Sequence, residues 1–378
     1  MKTKTTAKKA SPQARAIEKA LAQKLRELLG SVAWLKGWDV SVNPAAYGRV
    51  FDLMAVVPLP KQQRAELWVE CDELPRPSRF PHVSIKQTFH PDGDRTLRIP
   101  VLAAPLISPR VAELCQQHGW SWFDLAGNCR LNVPGALYIE RRGQQATHQR
   151  PKPVAKLNSA EAARVVRSLL AIENTGRRWT QRALQVGCQP AVSIGLINKL
   201  VLHLREEAYL AADAEGGFRV SDAPGMLAAW SEAYRFERHS LHGYFTLKQG
   251  RALDTALARL RDVAQGHAAL AAFSAAEQQA PHVRQPKTWL YVGAEWEDEM
   301  AELLDAKPVD SGENLVVLIP EDSGVFYLPQ TGTAALPCTN AAQTFVDLMH
   351  CGGRGKEAAE AVLDKMLKPA WQKKGPKK

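Results

Sequence analysis

None of the six cysteines (Cys71, Cys115, Cys129, Cys188, Cys338 and Cys351) belongs to a C-x-x-C pair. Their scatter excludes a zinc knuckle and a disulfide scaffold and fits a reducing cytoplasm. No stretch approaches the roughly 20 apolar residues of a membrane helix, and no apolar segment follows the N-terminal charges. The expectation is therefore a soluble, cytoplasmic protein with no membrane partner. Internal repeats are lacking. So are acidic residues at the two ends, where Lys2, Lys4, Lys8, Lys9, Lys368, Lys373, Lys374, Lys377 and Lys378 carry nine of the net +10 charges. The body between the tails is nearly neutral, so bulk charge is weak evidence for a polyanionic partner and local placement has to decide.

What is present is ample for a folded, multidomain chain: 378 residues, 45% of them hydrophobic, enough for two or three cores. After a basic tail (1–10), Ile17, Leu21, Leu25 and Leu28 recur at helical spacing, with Gly30 as a stop. Strand-like runs follow at 38–42, 50–57, 66–71 and 99–103. A helix at 108–118 is capped by Ser108 with Pro109 at its first position, and short strands follow at 120–123, 129–133 and 136–140. This order predicts an α/β domain over 11–143. The polar, proline-containing segment 144–157 reads as a linker.

Beyond it, Asn158 with Glu161 is a capping-box-like start for a helix carrying Val165, Leu169, Leu170 and Ile172. A short second helix begins at Thr180. A third runs from about Pro190 or Ser193 to Glu207, with Ile194, Ile197, Leu200, Val201 and Leu204 as its buried stripe. Strands around Tyr209–Asp213 and Phe218–Val220, joined at Glu215, Gly216 and Gly217, make a hairpin. Three helices and a β-ribbon over 158–222 predict a winged helix-turn-helix. From Arg141 to Arg182 there are ten Lys/Arg, Arg164 and Arg167 among them, against two acids, Glu161 and Glu173. Arg177, Arg178 and Arg182, with Thr180 and Gln181, are placed to meet phosphates. Ser193, Asn198, Lys199, His203 and Arg205 lie on the outer face of the third helix, within reach of base edges, and Gly216 and Gly217 form the wing tip. The competing reading is an adaptor that uses the same unit for protein contacts.

The remainder, 223–367, predicts a third, α/β unit: helical to about Arg238, one helix over 250–276, strands at 289–292, 315–319 and 325–328, and closing helices at 341–348 and 356–367. A basic tail (368–378) follows. The fold class expected is α+β and multidomain, with an endonuclease-like α/β domain, a central winged helix and a C-terminal α/β domain.

Three stretches, Val192–Leu210, Pro105–Leu131 and Phe345–Leu363, resemble the AbiEi-type regulators, the antitoxin half of type IV abortive-infection toxin–antitoxin systems. The resemblance spans most of 35–367, although the turn at 187–191 is longer than the family pattern. It implies a promoter-binding autorepressor acting on double-stranded DNA, antagonism of a nucleotidyltransferase-like toxin, and no cofactor; a homodimer is compatible with it.

The first domain also looks like a restriction-endonuclease fold, whose metal site needs an Asp at one strand end and Glu-x-Lys on the next. Asp52 and Glu70 fall in place, but Asp72 stands where the lysine that activates water belongs. The expectation is a non-enzymatic chain with no metal. Asp124, Gly127 and Asn128 read as a turn. Gly352, Gly353, Gly355 and Lys356 fail the phosphate-loop pattern, because His350 takes the first glycine position and Glu357 the Ser/Thr position. His239, His242 and His350 read as surface or packing residues, and Trp34, Trp38, Trp68, Trp120 and Trp122 as core.

Overall fold

The computed structural model describes residues 12–46, 49–59, 63–80, 96–144, 155–330 and 335–372. Most of the predicted linker, with Arg150 and Lys152, the first tail and residues 373–378 of the second lie outside them. The chain is mixed α and β, and its contacts divide it into two units, Met1–Lys152 and Pro153–Lys378.

In the first unit, helix α1 (Pro12–Gly30) precedes β1 (Asp39–Val42), the two-residue strands β2 (Ala45–Ala46) and β3 (Arg49–Val50), β4 (Leu53–Leu59), β5 (Gln63–Cys71) and β6 (Thr96–Ala104). Helix α2 (Pro109–Gln117) then leads to β7 (Ser121–Asp124), β8 (Cys129–Val133) and β9 (Leu137–Arg141). One seven-stranded sheet takes the order β1-β4-β5-β6-β7-β8-β9, parallel only at β5–β6 and β6–β7. Period-two alternation turns Leu53, Ala55 and Val57 inward against Leu21, Leu25, Leu28 and Leu29 of α1. Leu102 and Trp122 pack instead with Val111, Leu114 and Cys115 of α2. The run expected at 50–57 is broken at Phe51–Asp52, where the Asp52 carbonyl accepts the Asn43 N–H. Trp120 and Trp122 are buried as expected, whereas Trp34 is 55% exposed. At the β7–β8 turn the buried Asp124 accepts from both the backbone and the side chain of Asn128, and Gly127 takes φ +96°.

In the second unit, α3 (Ala160–Leu170), α4 (Gln181–Gly187) and α5 (Ile194–Glu206) lead into the hairpin β10 (Leu210–Ala212) and β11 (Phe218–Val220). Then come α6 (Ala223–Ala233), β12 (Ser240–Thr246), α7 (Arg251–Ala264), β13 (Ala268–Leu270), α8 (Ala272–Gln279), β14 (Thr288–Val292), α9 (Glu297–Leu304), β15 (Ala306–Pro308) and β16 (Leu315–Ile319). Helices α10 (Ala341–His350), α11 (Gly355–Val362) and α12 (Lys368–Gln372) end the unit. A five-stranded sheet has the order β13-β14-β16-β12-β15.

Several sequence expectations change here. The single helix expected over 250–276 is two, because Gln265 and Gly266 adopt φ +46° and +92° and end α7. Ala268–Leu270 then pairs with β14; its alanines have no strand signature, and only burial makes them a strand. Residues 325–328 are not a strand. Asp322 accepts the Gly324 N–H and starts a short 3-10 turn, Ser323–Phe326. Strands β12 and β15 and helix α9 were not foreseen. His239 and His242 do not share a helix: β12 begins at Ser240, so three-residue spacing there separates rather than aligns side chains. Gly352 and Gly353 have positive φ and turn the chain from α10 into α11.

Candidate nucleic-acid interface

Helices α3, α4 and α5 each start on a hydroxyl cap. Ser159 Oγ accepts from Ala162 N–H, Thr180 Oγ1 from Ala183 N–H and Ser193 Oγ from Leu196 N–H. The cap of α3 is thus Ser159, not Asn158, one residue later than the sequence pattern suggested. Ile197, Leu200, Val201 and Leu204 of α5 face Val165, Val166, Leu169, Leu184 and the fully buried Trp179. Ile194 does not join that stripe. As the first residue of α5 it lies beyond the core and is 46% exposed, with Leu196 packing in its stead.

The hairpin is bound to the start of α4. Trp179 and Phe218 exchange both backbone hydrogen bonds, at 2.8 and 2.9 Å, so the segment before α4 acts as a third strand beside β11. This close approach demands glycine at 217, which has φ +84° and whose Cβ would stand 2.2 Å from the Trp179 carbonyl oxygen. Neighbouring Gly216 also has positive φ (+88°) but faces open space. Gly217→Ala is therefore expected to destabilise the protein by at least about 2 kcal/mol, and Gly216→Ala by only about 1 kcal/mol. Urea unfolding of both variants checks the order.

The outer face of α5 is open to solvent. Ser193, Asn198, Lys199 and Arg205 are exposed and His203 is half-buried, and burial lowers the His203 pKa. Exposed Leu202 lies between the polar positions. The half-buried Gln181 donates to Asn198 Oδ1 at 3.0 Å, joining the first turn of α4 to the middle of α5.

The basic side chains of this unit divide into two groups. Arg182, Lys199 and Arg205 are exposed. Others work within the unit: Arg177 lies 4.0 Å over the Trp179 ring and donates to Asn174, Arg178 donates to the Glu215 carbonyl and side chain at the hairpin tip, and Arg219 bonds Asp213 and the Gly176 carbonyl. These contacts hold the hairpin beside α4 while leaving the Arg177 and Arg178 side chains exposed. Arg164 and Arg167, both counted in the basic cluster from sequence, do not belong to the surface. Arg164 grips Asp322. Arg167 is 2% exposed and donates twice to Gln343 Oε1, at 2.9 and 2.7 Å.

Arg167 opens a buried polar network that sequence reading missed. Gln343 Nε2 donates to the Tyr234 hydroxyl and to Asp347 Oδ1, both at 2.8 Å. Tyr234 and Tyr291 donate to the same carboxylate oxygen. His239 Nδ1 accepts the Glu321 N–H, so its proton resides on Nε2 and points at the Tyr234 oxygen, 2.7 Å away. Burial pushes the Asp347 carboxyl up to about 7 against the pull of these donors. Burial, then the nearby Arg167, takes His239 down to about 4. An arginine within the apolar run Val165–Leu170 was the available signal. The network ties α3 to α10 through side chains that apolar residues would replace if packing were all that mattered.

In the first unit, Asp52 Oδ2 accepts the Cys71 N–H at 2.8 Å, and Asp72 Oδ1 accepts the Leu74 N–H. Pairing of Leu53 with Val69 sets Asp52 opposite Glu70. Among the described residues no group of three His, Cys, Asp or Glu side chains could hold a metal ion, and no helix is long and apolar enough to cross a membrane.

Residues 219–368 match the family model described as the transcriptional regulator AbiEi antitoxin of type IV toxin–antitoxin systems. The match takes in the Phe345–Leu363 stretch and the Tyr234–Gln343–Asp347 network. Helices α3 to α5 precede it. No curated protein and no solved structure matches the chain.

Proposed function

Starting from an AbiEi-type segment at 219–368, we propose that the protein is a sequence-specific DNA-binding transcriptional regulator, the antitoxin and autorepressor of a type IV toxin–antitoxin system. Residues 158–222 act as a winged helix-turn-helix. The observation that carries this reading is the uncovered polar face of α5, with Ser193, Asn198, Lys199 and Arg205 exposed and a hairpin held beside it. A helix of this kind fits a major groove: Asn198 suits bidentate contact with adenine, and Lys199 or Arg205 suits guanine. Arg177, Arg178, Arg182, Thr180 and Gln181 meet the phosphates from the start of α4, and Gly216 and Gly217 let the wing approach a backbone closely.

The first unit serves as a non-catalytic relative of the restriction-endonuclease fold. Its Asp52 is occupied by a backbone amide, and Asp72 supplies a third negative charge where a nuclease needs a cation. The protein acts in the cytoplasm, works without a cofactor, opposes a nucleotidyltransferase-like toxin and binds a palindromic site as a homodimer. A mobility-shift assay with the full chain and the DNA upstream of its own coding sequence tests the reading. Retardation is expected to survive a large excess of unrelated duplex; equal competition by unrelated duplex overturns it.

A further inference from the structure

Beside α3 lies a cleft of about 30 Å³, open on one side, to which Ser159, Ala160, Arg167, Arg235 and Arg238 contribute. Its volume, with one side open, suits a group of a few heavy atoms rather than a large organic molecule. Four features make it a site for negative charge. Helix α3 presents its N-terminus there, where the first amides have no intrahelical acceptor, and Ser159 covers only that of Ala162. Arg167 is almost wholly buried, and its Nη1 has no acceptor; its other two donors go to a neutral amide oxygen, so its charge meets no carboxylate directly. The acids on the cleft wall are already matched: Asp322 by Arg164 and Glu321 by Arg238 at 3.5 Å. Arg235, 4.0 Å from Glu237, adds a second loosely held cation.

We propose that this cleft binds a tetrahedral oxyanion of the phosphate class, with Arg167 Nη1 and Arg235 as its charged donors and the first amides of α3 as its neutral ones. Such an anion ties the leading helix of the three-helix unit to residues 235–238. The inference stands apart from the DNA-binding reading and does not need it.

The test is thermal unfolding of the full chain titrated with inorganic phosphate against sodium chloride at matched ionic strength. A saturable rise in Tm is expected. Removing the buried arginine risks the fold, so Arg235→Ala, at an exposed position, is the informative variant; its half-saturating phosphate concentration is expected to rise at least about fivefold, the loss of one charge-assisted hydrogen bond. Glycerol 2-phosphate, a monoester, should compete if the cleft is open enough for a phosphoryl group on a larger ligand, which extends the proposal, while competition by phosphate alone confines it to the free ion. A rise that never saturates, or one that is unchanged in Arg235→Ala, overturns the proposal. Abolition of the phosphate response by a short DNA duplex also overturns it, because the anion would then be a surrogate for the nucleic-acid backbone.

Discussion

Replacing Arg178 and Arg182 together by alanine is expected to weaken binding to every duplex by about 10- to 100-fold and to flatten the dependence of log affinity on log salt by about 2, because each phosphate contact releases roughly 0.9 of a counterion. Arg182 is exposed at the start of α4 and makes no ion pair among the described residues. Arg178 is committed in part to Glu215, so its removal also uncovers a carboxylate near the hairpin tip and adds repulsion to the lost contact. Both are surface positions, and unfolding midpoints should barely move. Binding isotherms at several salt concentrations decide the matter: loss of affinity with an unchanged slope would mean that the arginines do not touch phosphates.

The second large effect lies in the buried network. A carboxyl whose folded pKa stands above its unfolded value contributes stability that is complete below the unfolded value and lost as pH rises to the folded one. Asp347, raised from 3.8 to about 7, therefore makes stability fall between about pH 4 and 7. His239, lowered from 6.5 to about 4, is protonated more readily in the unfolded chain and makes stability rise between about pH 4 and 6.5. The two slopes, each at most about 1.4 kcal/mol per pH unit, oppose one another over that window. Asp347→Asn should unmask the rise and His239→Gln the fall, each read as the difference from the wild-type profile. Urea unfolding at half-unit pH steps measures both, and parallel profiles for all three proteins would contradict the coupling.

The elements that sequence reading found are those whose local chemistry agrees with their packing. The hydroxyls of Ser108 and Thr180 marked two helix starts, and Leu53, Ala55 and Val57 alternated as a half-buried strand must. It went astray where tertiary context overrides propensity. Alanine-rich residues 268–270 are a strand because β14 lies beside them, and Val325 sits in a turn because Asp322 caps Gly324. The candidate interface was legible for a similar reason: α5 and the Gly216–Gly217 hairpin have strong local signatures. Charge counting was the weaker guide. It could not separate Arg182, which reaches solvent, from Arg164 and Arg167, which bond inward to Asp322 and Gln343, residues more than a hundred positions away.

The central claim is that α5 reads base sequence, and selection of binding sites from a pool of randomised duplexes tests it most directly. The wild-type chain should enrich one defined motif, and Asn198→Ala should alter that motif at a few adjacent positions while leaving the rest intact. Enrichment of no motif, or of the same motif by both proteins, would contradict it.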